Sequence, residues 1–252
     1  MQVVGTDTAP LSGGDETTGY QRNIQINRTG RTVNTHSHFI ETTDNFRTDL
    51  GFQNRFFKPD TSGIHNSLNL NFYPETSNIN SWTAGLFDVY LNDTDGTRIY
   101  HQLGPNLQVN YATTSFGVRY TDYAEILRPK DFAGIVTNTR YDYENWQIDF
   151  SNSTSQKATV SANYRQGRTL NLVPAPGSLP YVADTSRIDL SFFWRPIDRL
   201  QVRNTYFLTE LQNRNSDTKI FTNEIFRSNW NYQFTKEWSL RSVSYTHLTL
   251  PT

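Results

Sequence analysis

Alternation of apolar and polar side chains, sustained over stretches of about ten residues or more, constrains this chain more than any other feature. It is clearest from Arg187 to Arg241. Ile188, Leu190, Phe192 and Trp194 alternate with Asp189, Ser191, Phe193 and Arg195, a period of two that marks a strand with one apolar face. Pro196 cannot donate to a sheet ladder, so the strand is expected to end there and a turn to occupy Pro196 to Arg199. Leu200, Val202, Tyr206 and Leu208 then share one face, with Gln201, Arg203, Thr205 and Thr209 on the other. A polar link from Leu211 to Thr218 leads to a third strand, Lys219 to Asn231, and a tight turn at Phe234 to Glu237 opens a fourth at Trp238.

Strands in water-soluble domains usually run about five or six residues, whereas a tilted strand needs about nine to eleven to cross a bilayer. The connections alternate between short and longer polar ones, the asymmetry of outer-membrane barrels. Trp194, Trp230, Phe234 and Trp238 fall beside the short turns, where an interfacial aromatic girdle belongs. The expected fold is therefore all-β: an antiparallel, up-and-down transmembrane β-barrel with outer-membrane lipid as its partner. The competing architecture is a soluble secreted β-sandwich that binds carbohydrate through exposed aromatics. It requires apolar faces that meet in a core.

Composition fits the first. Hydrophobic residues make up 35% of 252 and mean hydropathy is -0.65, too polar for a helical membrane protein, and no apolar run approaches the roughly eighteen residues of a spanning helix. A barrel escapes that test because only alternate residues meet lipid. The absence of cysteine excludes a disulfide framework or cysteine metal site. A net charge of -1 with scattered Lys and Arg gives no case for nucleic acid. No signal peptide is visible, and Met1 leads into what reads as mid-domain sequence. We therefore expect an incomplete barrel over 1–242. Val243 to Thr252 (VSYTHLTLPT) is similar to the translation, in one frame, of a transposase adapter used in sequencing-library preparation, and is expected to be read-through.

Elsewhere the same alternation gives about a dozen strands and no helix. Gln2 to Thr6 is a strand stub, and Tyr20 to Asn27 with Arg31 to Glu41 forms a hairpin around Gly30. Strands follow at Ser67 to Tyr73 and Trp82 to Leu91, with an Asp95-Gly96 turn. A tight connection is expected between Gly134 to Tyr143 and Asn145 to Phe150, and a long loop over Leu170 to Ser186 with its three prolines. Thr42 to Arg55 does not alternate cleanly and reads as a rim segment or a lumen insertion rather than a strand. Lys219 to Asn231 places apolar residues on both parities, which a bulge or a filled lumen would explain.

The phrases FRTDLGFQNR (Phe46 to Arg55), RPIDRL (Arg195 to Leu200), NTYFL (Asn204 to Leu208) and RSNWNYQFTKEWSLR (Arg227 to Arg241) together resemble a bacterial family of outer-membrane barrels, domain of unknown function 5916. In that family the barrel usually follows a domain similar to family-nine carbohydrate-binding modules. The resemblance implies an outer-membrane location and a link to glycan through a module preceding the barrel, and it supplies no mechanism.

Few residues suggest chemistry. Asp44 and Asp49, near Arg47 and Arg55, read as a salt-linked rim segment rather than an acid/base pair. His36 and His38 stand two apart, so on a strand they share a face and could share a metal. With no third ligand near them in sequence, they read as solvated histidines of the lumen. Arg195, Arg203, Arg227 and Arg241 are expected to line the lumen, with Asp189, Asp198, Glu210 and Glu237 as partners across the wall. No GxSxG elbow, HExxH helix or phosphate-binding loop occurs. No catalytic residue and no cofactor is expected.

Overall fold

A residue pattern of period two can satisfy its backbone only by pairing with neighbouring strands, and the chain does so throughout. The computed structural model describes residues 2–8, 17–43, 46, 60–75, 78–155, 157–216 and 218–251. Among them every regular element is a strand: β1 (Gln2–Thr8), β2 (Thr17–Arg28), β3 (Val33–Thr42), β4 (Thr61–Phe72), β5 (Ile79–Asp93), β6 (Arg98–Tyr111), β7 (Thr114–Leu127), β8 (Thr139–Ser155), β9 (Ala158–Asn171), β10 (Tyr181–Ile197), β11 (Leu200–Gln212), β12 (Lys219–Gln233) and β13 (Ser239–Pro251). They form one sheet whose spatial order is the order of the chain, beginning at β1 and ending at β13. A sandwich needs two sheets. Among the described residues there is one.

β8 and β10 each run 17 residues and β3 runs 10, two to three times the usual strand of a soluble domain. Most connections leaving even-numbered strands are short, as at 112–113 and 198–199, and most leaving odd-numbered strands are longer, as at 128–138 and 172–180, with the tight β5–β6 turn at 94–97 the exception. Gly96, with φ 84°, supplies the left-handed residue of the β5–β6 turn.

The chain divides into two compact units. In the one made of Phe72–Ala84, Asn106–Thr121 and Tyr143–Thr252, register sorts the side chains into two faces. Phe150, Ala162, Leu190, Tyr206 and Phe226 lie side by side across β8 to β12, flanked by the row Ile148, Tyr164, Ile188, Leu208 and the row Val160, Phe192. None of these side chains is buried, and several are exposed, Leu190 by 44%, Phe226 by 44% and Ile148 by 42%. An apolar patch that crosses five strands exceeds what water-soluble monomers leave uncovered. The opposite face carries Gln147, Arg165, Arg187 and Thr209 in one row, and Ser151, Ser161, Ser191, Thr205 and Arg227 in another.

The other unit comprises Met1–Asn71, Gly85–Pro105 and Asp122–Asp142. It repeats the division, with Ile24, Phe39 and Ile64 in one row and Gln25, His38 and His65 in the next. Its enclosed core is small, with Val89, Leu91, Ile99 and Tyr100 buried together. Gly63 belongs here by necessity, because a Cβ there would stand 2.2 Å from a Leu91 methyl and 2.5 Å from the Tyr90 carbonyl oxygen.

Four details differ from expectation. β8 passes straight through Glu144 with no turn, and from Asn145 to Asn152 the strand pairs onto β9. β10 continues past Pro196 to Ile197, because the register shifts between Trp194 and Ile197 and a bulge tolerates the missing donor. The proline-rich loop shrinks to 172–180, with Tyr181 to Ser186 paired to β9. In β12 a register shift of the bulge kind displaces Ile220, while Phe221 and Ile225 lie on the polar face opposite Leu211 and Phe207. β13 runs on through the adapter-like residues; a sheet edge pairs with any extended segment whatever its origin.

Candidate functional site

The polar face of β8 to β12 is a hydrogen-bonded surface built from short side chains. Gln147 donates from Nε2 to both Asp149 oxygens at 3.1 and 2.9 Å, Asn163 donates to the same carboxylate, and Arg165 donates from Nη2 to Gln147 at 2.6 Å. On β10, Arg187 holds Asp189 through Nε at 3.0 Å. These bonds run along and across strands because i and i+2, and cross-strand partners, share a face. Between them lies a recess of about 280 Å³ lined by Ser115, Asp149, Ser151, Ser161, Asn163, Asp189, Ser191 and the ring of Phe207. Gly117 adjoins it, where a Cβ would meet Asp149 at 3.5 Å.

Arg203, Arg227 and Arg241 occupy this same face, opposite Asn229, Thr205 and Asn231 respectively. Arg203 and Arg241 border a smaller recess with Phe193, Gln201, Asn229 and Asn231, and the Arg203 guanidinium lies 5.7 Å from the Phe193 ring. Arg195 stands at the bulge, its buried Nε lacking a hydrogen-bond partner. The expected pairing of these arginines does not occur among the described residues. Asp189 is engaged by Arg187, and Glu210 by Lys219 at 2.9 Å on the other face of the sheet. Parity decides this, since Glu210 is even-numbered in a strand whose polar face is odd.

Trp194 and Trp230 are linked through Val202 in one row on the apolar face, 44% and 46% exposed. Phe234 and Trp238 close the β12–β13 connection, where Phe234 donates its backbone N–H to the Trp238 carbonyl and packs on Tyr232 at 4.7 Å. Phe72 stacks on Trp82 at 3.8 Å beside another short connection. Eight residues of β10 separate Trp194 from Ser186, the polar row that begins at Trp146. That is about 26 Å of strand at 3.3 Å per residue.

In the other unit, β3 presents His36 and His38, and β4 brings His65 directly opposite His38. One ring nitrogen from each lies within 4.8 Å of the other two. Sequence spacing missed His65 because it follows a long connection; only the β3–β4 register reveals it. A second cluster joins the start of the 128–138 connection to the end of β5. Arg128, 3% exposed, is bound to Asp131 at 2.7 Å and Asp93 at 3.1 Å, and Lys130 reaches Asp93 at 3.2 Å and also Asp60. Burial alone would lower the Lys130 pKa, but its bonds to Asp60 and Asp93 outweigh burial and hold the ammonium above its usual range. Asp44, Asp49, Arg47 and Arg55 lie outside the described residues.

No family model matches the chain, and no curated protein matches it. Among solved structures it is similar to OmpT, an outer membrane protein of Vibrio cholerae folded in vitro, with 9% identity and a TM-score of 0.44 over 99% of this chain and 86% of that one.

Proposed function

We propose that this chain is a section of a bacterial outer-membrane β-barrel that serves as anchor or conduit for an exported polar substrate. One observation carries the reading: long strands set contiguous, partly exposed apolar rows on one face and polar, partly hydrogen-bonded side chains on the other. Each such Leu or Phe, about two-fifths exposed, leaves roughly 1 kcal/mol of burial unused in water, and lipid is the solvent that recovers it without a second layer of protein. Rows of Trp and Phe at one boundary of the apolar band suit the headgroup level.

Glycan is the favoured substrate class. Carboxylate, amide and hydroxyl groups around the Phe207 ring match the hydroxyls and the apolar face of a sugar, and a barrel of the family this sequence resembles would receive that glycan from a carbohydrate-binding module. In this reading the polar recesses bind or line, and the chemistry of such a protein belongs to another part of it. Arg203, Arg227 and Arg241 then tune the lining electrostatically.

The test is fractionation of the protein expressed with an export signal in a Gram-negative host. It should partition into outer membranes, require detergent for extraction and show heat-dependent gel mobility. Recovery as a water-soluble monomer without detergent would reject the proposal. Solute uptake by vesicles carrying the protein separates conduit from anchor.

A further inference from the structure

We infer that His36, His38 and His65 form a binding site for a late first-row divalent metal, Zn²⁺ being the natural occupant. Imidazole nitrogen is the preferred protein ligand of this group, and three histidines with an open fourth position constitute an exchangeable site. Three features of β2 to β4 build it. His36 and His38 are two residues apart and point to one face, and His65 is the direct register partner of His38. The three ligating nitrogens lie within 4.8 Å of one another, so small ring rotations bring them to the roughly 3.3 Å separations that tetrahedral bonds of about 2.0–2.1 Å require.

The third feature is the outer shell. His36 donates from Nδ1 to Asn27 Oδ1, its register partner on β2, and His38 donates from Nε2 to Asn23 Oδ1 at 3.1 Å. A ring nitrogen that donates fixes the tautomer and leaves the other nitrogen's lone pair free for a metal, the support that metal-bound histidines characteristically have. The Gln25 amide, 3.4 Å from the same His38 nitrogen, is the longer contact. His65 has no hydrogen-bond partner among the described residues and lies edge-on to Phe87 at 4.6 Å, so its nitrogens are uncommitted. All three rings are half-buried, reachable by an ion yet partly shielded. The site ties β3 to β4 across the long 43–60 connection, so an ion there acts as a clip between strands.

The decisive experiment titrates the full chain, refolded in detergent, with Zn²⁺ against a chromophoric chelator, and with Co²⁺ for its visible absorption. We expect one equivalent, a tetrahedral Co²⁺ spectrum, and affinity that falls as pH drops from 8 to 6 because protons compete for the ring nitrogens. His65→Ala should weaken Zn²⁺ at least tenfold, and Asn27→Ala should weaken it about 10–100-fold through lost orientation. His101→Ala should leave it unchanged, since His101 is engaged with Asp88 at 3.0 Å. Zn²⁺ should also raise the temperature of the heat-dependent mobility shift in the parent and not in His65→Gln, a readout confined to folded protein. Absence of stoichiometric binding, or equal affinity in the parent and His65→Ala, would overturn the site.

Discussion

Arg128 shows how much a single side chain can depend on residues that no local pattern connects. Its guanidinium, 3% exposed, satisfies Asp131 and Asp93 together. Arg128→Met should cost about 3–5 kcal/mol, because it takes the buried guanidinium from Asp131 and leaves Asp93 with Lys130 alone, and chemical unfolding in detergent would measure it. Lys130→Met should cost under about 1 kcal/mol, its side chain being 44% exposed. The sign of the Lys130 shift sets the pH window. A raised pKa contributes stability fully below the unfolded value near 10.5 and loses it only as pH rises through the folded value. Trypsin resistance at Lys130 should therefore be flat from pH 7 to 9 and decline above about 10.5. Nothing in the sequence announces this cluster, since Asp60, Asp93 and Arg128 meet only through the pairing of distant strands.

At the scale of the strand, parity governs the effect of substitution. Leu190 sits in the central apolar row and Ser191 on the polar face. Leu190→Arg should lower the free energy of folding into vesicles by about 2–4 kcal/mol, and Ser191→Arg by about 0.5 kcal/mol or less. Equal effects would mean that both faces meet the same solvent. Gly167 tests register more finely. Its φ is 146° and a Cβ would stand 2.4 Å from the Glu144 carbonyl oxygen, so Gly167→Ala should destabilise by about 1–3 kcal/mol. Gly96→Ala, with open space around it, should cost about 1–2 kcal/mol through backbone strain alone. Most strands were legible because alternation is a local property. The turn expected at Glu144 was not real: Glu144-Asn145 reads as polar punctuation in sequence, yet the strand runs through it and pairs onto β9 from Asn145 onward. The strand end at Pro196 failed likewise, since a bulge, which depends on the partner strand, removes the penalty.

For the whole molecule, the proposed membrane setting places Trp194 and Trp230 at headgroup depth. Variants retaining one tryptophan should be quenched most by lipids brominated near the headgroup, and a quenching maximum at the bilayer centre would contradict the girdle. The sequence by itself determined that the chain would be antiparallel strands of membrane-crossing length with one oily face, because period-two patterning and turn chemistry are written residue by residue. Tertiary structure alone decided which polar groups meet: Asp149 with Asn163, Arg128 with Asp93, and His65 with His36 and His38. Cross-strand register is a collective outcome of pairing, and it brings together residues that the chain keeps tens of positions apart.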